Sequence, residues 1–247
     1  MKNKLQLFLG RVIAIWALIW FVTTMFLFIW FYLLCFFLQE PYKTRWHRTI
    51  SKIWMGLFLT LVGCRFTIKG KHHFKNLGPA IVICNHNSLI DVPLSTPFLP
   101  RANKTIAKKS FIYVPLFGWI YQFGSVIVDR KNDQSRRASF EKMKHTLDKG
   151  LDMLIYPEGT RNKTSEPLKS FYDGAFKLAI ETQKPIIPVV LLNTKKVLPA
   201  YPIMCFKPGK IQMDILTPIP SEGHTVQSLK QTAFDIMSAH YKMNNPA

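Results

Sequence analysis

From Val12 to Leu38 the chain runs for 27 residues without a charged side chain. As an α-helix this run would extend about 40 Å, longer than the ~30 Å hydrocarbon layer of a bilayer. It is too long for the apolar region of a signal peptide, and no small-residue cleavage site follows it. A fully buried core helix is the alternative, but the length and aromatic content favour insertion into a membrane.

The next segment, "TRWHRTISKIWMGLFLTLVGC", has a different pattern. Trp46, Ile50, Ile53, Trp54, Leu57, Phe58 and Leu61 recur at three- and four-residue spacing, with Arg45, Arg48 and Lys52 among them. This suits an amphipathic helix with tryptophans at headgroup level and cations towards anionic lipid, or an ordinary surface helix packed on a domain. Cations flank the apolar run on both sides: Lys2, Lys4 and Arg11 before it, and Lys43, Arg45 and Arg48 after it. Charge asymmetry therefore does not choose between one span and a hairpin dipping into a single leaflet.

After Gly63 short apolar runs alternate with helical patterns. Strands are expected at Arg65–Lys69, Ala80–Cys84, Thr105–Ala107, Ser125–Asp129, Met153–Tyr156, Ile186–Leu192 and Ile211–Leu216. Helices are expected at about 134–149, with Asp133 as a possible N-cap and Gly150 closing it, at about 174–182, and at 226–243. Such alternation implies an α/β fold, a mainly parallel sheet with flanking helices, preceded by an N-terminal membrane-inserting helical segment. The boundary falls at residues 62 and 63, so that 1–62 anchor and 63–247 form the folded unit.

The 33 Lys and Arg residues against 14 Asp and Glu give a formal net charge of +19. That balance calls for an anionic partner. The cations are dispersed rather than gathered on a groove-reading helix or an aromatic platform, which weighs against a membrane-anchored nucleic-acid-binding protein. Cys35, Cys64, Cys84 and Cys205 form no CxxC pair, so neither a zinc site nor a disulfide framework is indicated. Cys84 reads as an inert packing residue of its strand rather than a nucleophile, and the His72-His73 pair reads as surface.

In open α/β sheets, ligands bind beyond the carboxyl ends of the strands. "IVICNHNSLIDVP" ends a buried strand on His86 and places Asp91 five positions on. "SVIVDR" ends on Asp129 and Arg130, and "MLIYPEGTR" ends on Glu158, Gly159, Thr160 and Arg161. Neighbouring parallel strands would bring the three clusters to one edge. H-x4-D alone is a weak signal. "PEGTR" is stronger, because Gly159 permits close backbone approach and Arg161 offers a planar donor fork for phosphate, or else an ion pair to Glu158. P-loop, GxGxxG, GxSxG and HExxH patterns are absent.

"NHNSLID", "KKS…VPLFG…GSVIVDR", "YPEGTR" and "PIIPVV" resemble, in order and approximate spacing, the four blocks of the glycerolipid acyltransferases. Within that family the likeness is greatest to the lysophosphatidic acid (1-acylglycerol-3-phosphate) acyltransferases. It spans roughly Ile81 to Val190. Asn87 stands where Gln or Arg is common, and Tyr172 and Asp173 replace basic or polar residues in "FKxGAF". The resemblance implies an acyl transfer without an enzyme nucleophile. A fatty acyl group would pass from an acyl-CoA or acyl-carrier-protein thioester, as co-substrate, to the sn-2 hydroxyl of lysophosphatidic acid, giving phosphatidic acid. No metal or bound cofactor enters this scheme.

His86 would be the general base, since an imidazole can accept a hydroxyl proton near neutrality, and Asp91 would fix its tautomer. Arg161, supported by Lys108 and Arg130 from the matching blocks, would hold the acceptor phosphate. Glu158 would orient the glycerol, with Gly159 and Thr160 beside it in the substrate-binding loop. The expected setting is a membrane, with membrane lipid as partner and the catalytic domain facing the cytoplasm (the inner membrane in a bacterium). Another lysolipid acceptor, such as a lyso-aminolipid, stays open.

Overall fold

A computed structural model of the chain describes residues 2–129 and 133–244. An apolar helix, α1 (Lys2–Leu33), leads through a 3-10 turn at Leu34–Phe36 into α2 (Tyr42–Leu61). The two run antiparallel. Phe21 packs on Trp54 with ring centroids 5.1 Å apart, Trp54 Nε1 donates to Thr24 Oγ1 at 2.9 Å, and Tyr32 Oη and Ser51 Oγ lie 2.7 Å apart. The charge-free run and the helix do not coincide. The hydrogen-bonded ladder starts ten residues before Val12 and stops at Leu33, because cations exclude a residue from hydrocarbon but not from a helix. The helix is nonetheless long and apolar enough to cross a membrane.

The rest is a seven-stranded sheet. Its strands are β1 (Arg65–Lys69), β2 (Ile81–Cys84), β3 (Asn103–Lys108), β4 (Ser125–Val128), β5 (Asp152–Ile155), β6 (Ile186–Leu192) and β7 (Lys210–Ile215), in spatial order β1-β7-β6-β2-β5-β3-β4. All neighbouring pairs are parallel except β6 with β7. Each expected strand is present within two residues at either end. The central strands are apolar on both faces because both faces are covered. Ile81 and Ile83 point into a core with α5 (Asp133–Asp148), α6 (Gly174–Thr182) and α8 (Val226–Asn244), whereas Val82 and Cys84 point into the opposite core.

On that opposite side lie α3 (Asp91–Phe98), α4 (Phe117–Phe123) and the α1–α2 hairpin; a single turn, α7 (Thr194–Val197), follows β6. The sequence pattern does not show α3 and α4, which are only two turns long and carry two prolines (Pro93, Pro97) or close aromatic spacing. Pro93 sits in the first turn of α3, where its missing N–H costs no helical bond. Ile50, Trp54, Phe58 and Met55 of the hairpin share one core with Leu94, Ile120 and Phe206. The hairpin therefore packs on the sheet-bearing part of the chain as well as presenting its exposed apolar face outward.

The amino ends of β2, β3 and β5 are pinned by a buried carboxylate. Asp152 accepts the Ala80 N–H at 2.8 Å and two bonds from Arg101, from Nε at 3.0 Å and from Nη2 at 2.7 Å. Burial pushes the Asp152 carboxyl up from the usual range, against the pull of Arg101. Removing the cation leaves that carboxylate uncompensated. Arg101→Met should destabilise the protein by about 3–5 kcal/mol, the scale for breaking one side of a buried pair. Denaturant unfolding in detergent checks this, and a loss near zero would mean that Asp152 is carried by Ala80 alone.

Candidate active site

β2, β5, β3 and β4 are successive parallel neighbours, so the segments following them emerge on one edge of the sheet. His86 follows β2, the PEGTR segment follows β5, Lys108 ends β3, and Asp129 follows β4. The convergence anticipated from strand ends is therefore present. Arg130 lies outside the described residues. Asp129 donates its N–H to Ser135 Oγ at 3.1 Å.

Asp91 is a hub. It is fully buried at the first position of α3, where the helix end favours negative charge. Its Oδ2 accepts the Asn87 N–H at 2.6 Å and the Ser88 N–H at 2.6 Å, and lies 2.9 Å from His86 Nδ1. With Asp91 ionised, the contact to His86 requires the proton on Nδ1. The Nε2 lone pair is then the ring's acceptor. Tyr156 packs on the imidazole with centroids 4.6 Å apart, and its Oη lies 2.6 Å from Ser95 Oγ. Burial pushes the Tyr156 phenol well above its usual range, so it stays neutral beside the imidazole.

The main chain of His86 is held on both sides. Its N–H donates to Glu158 Oε1 at 2.7 Å, and its carbonyl accepts the Asn162 N–H at 2.6 Å. The other oxygen of Glu158 accepts the Lys169 N–H at 3.0 Å. Burial raises the Glu158 carboxyl above its usual range while these N–H groups oppose the rise. Glu158 is almost wholly buried, and its two oxygens accept backbone N–H groups, from His86 and from Lys169. Its position in the structure makes it a clamp on the His86 loop.

Gly159 has φ +69°, a left-handed conformation that a residue with a Cβ adopts at a cost. Thr160 is exposed, and its Oγ1 accepts Lys169 Nζ at 2.8 Å. Arg161 is half-buried and Lys108 exposed. Four contributors were not evident from the sequence pattern. Asn85, fully buried, exchanges two bonds with the Leu191 main chain, at 3.0 and 2.7 Å, continuing the β2–β6 pairing by side chain. Asn162, Tyr156 and Lys169 complete the set. Asn87 Nδ2 approaches Tyr241 Oη of α8 at 3.4 Å. Among the described residues, no three His, Cys, Asp or Glu side chains are grouped as metal ligands.

An apolar cavity of about 230 Å³ opens beside His86. Its walls come from α3 (Val92, Thr96), from α4 and the turn before it (Phe111, Ile120), and from the hairpin (Phe21, Trp54). It reaches Thr105 near the start of β3 and Gly124-Ser125 at the start of β4. It thus runs from the carboxyl edge of the sheet back along the strands, a distance of about 13 Å for a four-residue strand. One end carries the His86 imidazole, and the other is bordered by His47, Thr105 and Gly124-Ser125.

A family model described as "Acyltransferase" matches residues 65–192. A 1-acyl-sn-glycerol-3-phosphate acyltransferase of Cocos nucifera is 34% identical over 169 residues, 67% of this chain and 54% of that protein. An uncharacterised acyltransferase of Schizosaccharomyces pombe is 31% identical over 199 residues, covering 79% of this chain and 70% of that protein. The human 1-acyl-sn-glycerol-3-phosphate acyltransferase alpha is 31% identical over 174 residues, 67% of this chain and 58% of that protein. The chain spans about half to two-thirds of the length of most of these curated relatives. In fold, it is similar to the crystal structure of the 1-acyl-sn-glycerophosphate acyltransferase PlsC of Thermotoga maritima. The TM-score is 0.79 at 21% identity, covering 95% of this chain and 97% of that one.

Cys84, two residues from His86, is fully buried, and burial together with the Asp91 and Glu158 carboxylates pushes its thiol well above the ordinary range. It is a packing residue held as a neutral thiol. Iodoacetamide at pH 8 should leave Cys84 unlabelled in the folded protein and modify it on unfolding, as read by mass spectrometry. Rapid labelling of Cys84 in the folded state would contradict this.

Proposed function

This chain belongs to the acyltransferase family, and from that premise we propose that it transfers a fatty acyl group from an acyl thioester to the free sn-2 hydroxyl of 1-acylglycerol-3-phosphate, giving phosphatidic acid. The observation that carries this reading is the His86–Asp91 pair, at 2.9 Å, standing at the mouth of an apolar cavity. The curated relatives named for this activity support the choice of acceptor.

In the proposed step the acceptor hydroxyl passes its proton to His86 Nε2 as its oxygen bonds to the thioester carbonyl carbon. The tetrahedral intermediate then expels sulfur, and the imidazolium returns the proton to the departing thiolate. An ester and a free thiol form, and His86 ends neutral. Asp91 orients the ring and stabilises the imidazolium. The thioester is already activated, so the step needs no nucleophile from the protein and no bound cofactor. Acyl-CoA and acyl carrier protein are both donors of suitable charge for a chain of net charge +19. Arg161, with Lys108 and the neighbouring Lys169, supplies cations for the acceptor phosphate. Glu158 serves by holding the His86 main chain, and Gly159 and Thr160 shape the loop that carries Arg161.

The cavity takes the acyl chain, and the hairpin enters the membrane. α1 and the 3-10 turn after it both touch the rest of the chain: Gly10 O of α1 accepts the Phe206 N–H at 2.9 Å, and Phe36 of the turn meets Trp119 at 5.9 Å between centroids. A helix held along its length in this way suits burial in one leaflet better than a perpendicular span. The thioester-binding side then faces the cytoplasm.

A donor-by-acceptor assay of purified protein in detergent or lipid tests the reading directly. Phosphatidic acid should form from lysophosphatidic acid and a long-chain thioester; acylation of a lyso-aminolipid alone would reassign the acceptor. His86→Ala should lower kcat by about 10²–10⁴-fold while folding persists, and activity within a few-fold of wild type would remove His86 as the base.

Gly124 bears on chain length. A Cβ there would lie 2.5 Å from Cε1 of His47, a buried ring whose Nε2–H donates to the Ile120 carbonyl at 3.0 Å. Gly124 and His47 both border the cavity, so Gly124→Ala adds a methyl group there and displaces the ring, reshaping that end. The variant should shift donor preference towards shorter acyl chains, read as kcat/KM across a chain-length series. An unchanged profile would take the acyl chain out of this cavity.

A further inference from the structure

Between α7 and β7 the sequence LPAYPIMCFK leaves the body of the protein and returns to it. Tyr201 is 84% exposed, Ile203 71% and Met204 45%, while Cys205 and Phe206 immediately after them are buried. Scattered exposed apolar residues are ordinary on a protein surface. Three large ones at one loop tip, beside another apolar surface, form a patch with a purpose.

The tip is held out by a closed neck. Lys207 N–H donates to the Val197 carbonyl at 2.8 Å, joining the two stems. Phe206 N–H donates to Gly10 O of α1 at 2.9 Å, and Ser88 Oγ donates to the Leu198 carbonyl at 2.6 Å. Nothing in this arrangement folds Ile203 back towards the core it would otherwise join. On one side the loop's exit, at Cys205 and Phe206, lies against Gly10 of α1, in the turn after Leu5, Phe8 and Leu9, which are exposed. On the other it meets Ser88 of the His86 loop, whose neighbour Leu89 is also exposed and borders the cavity. Lys196, Lys207 and Lys210, all exposed, flank the patch at its stems.

We propose that residues 199–204 form a membrane-inserting loop, a lipid contact separate from the helical hairpin and placed beside the mouth of the His86 cavity. It rests on the membrane reading above. The occupant is a lipid bilayer surface, on three grounds: continuity with the outward face of α1, an aromatic residue with a polar tip beside aliphatic ones, and cations at the stems for anionic headgroups. The consequence is positional. The Ser88 hydroxyl ties the loop to the residue whose N–H holds Asp91, so the depth of the loop sets the depth of the catalytic pair.

The test uses the full chain in vesicles containing anionic phospholipid. All four native cysteines are buried, so Ile203→Cys provides an accessible thiol for an environment-sensitive fluorophore, with Glu222→Cys in the loop before α8 as the comparison site. Unlabelled wild type reports background. The Ile203 probe should be blue-shifted on vesicle binding and quenched several-fold more strongly by lipids carrying a spin label near the headgroup end of the acyl chain than the Glu222 probe. In a second measurement, the Tyr201→Ser/Ile203→Ser variant should raise KM for acceptor presented in vesicles several-fold, leaving kcat on detergent-dispersed acceptor unchanged.

If the protein floats with vesicles but the Ile203 probe stays in water, the loop inference fails and the membrane reading stands. A blue shift insensitive to quencher lipid would mean a protein occupant, such as a second copy of this chain, and would also overturn it. If the full chain stays in the soluble fraction, the membrane reading and the inference fall together.

Discussion

The arrangement around His86 depends on a grip applied to one peptide unit. A parallel sheet delivers the carboxyl ends of β2 and β5 side by side, and the residues just beyond them lock together. Glu158 and Asn162, from the segment after β5, bond the N–H and the carbonyl of His86. A buried carboxylate is costly unless its lone pairs are satisfied. Here the His86 and Lys169 N–H groups supply that satisfaction, and the same bonds fix where the imidazole begins. Asp91 then fixes where the imidazole points. Position and direction come from two different carboxylates, each tied mainly to backbone, so neither depends on a flexible side chain for support.

Much of the fold is legible in the sequence because its period is local. The central strands β2, β5 and β6 are mainly apolar runs, as parallel strands covered on both faces must be, the outer strands β1 and β7 alternate, and Ile186–Leu192 is recoverable to the residue. The helices α6 and α8 follow from their 3.6-residue pattern and bounding polar residues. Failures come where local pattern is weak or shared. α3 and α4 are too short for periodicity to accumulate, and the end of α1 is set by the turn into α2 rather than by where the charges lie.

The site divides in the same manner. His86 and Asp91 are five positions apart on one strand-to-helix connection, so sequence spacing alone suggests their contact. Glu158 is visible as an unusual strand-end residue, but its partners are 72 and 11 positions away in the chain and nothing local announces them. The same is true of Asn85, whose side chain pairs with Leu191 across 106 positions. A buried asparagine or glutamate is conspicuous in the sequence only after the sheet order is known. The cavity is more remote still, because its walls come from the hairpin, α3, α4 and the starts of two strands.

The bond from Phe206 N–H to the Gly10 carbonyl joins positions 196 residues apart. A contact of such high sequence separation cannot form until most of the chain has been made. During synthesis α1 therefore emerges long before one of its seats exists. Through that interval its apolar sides have α2 and any available lipid as partners, and little else. Delivery to a bilayer before synthesis ends would spare the nascent chain a period in which its most aggregation-prone helix stands uncovered. The order in which the ribosome releases the residues thus favours membrane engagement first and the seating of α1 against Phe206 last.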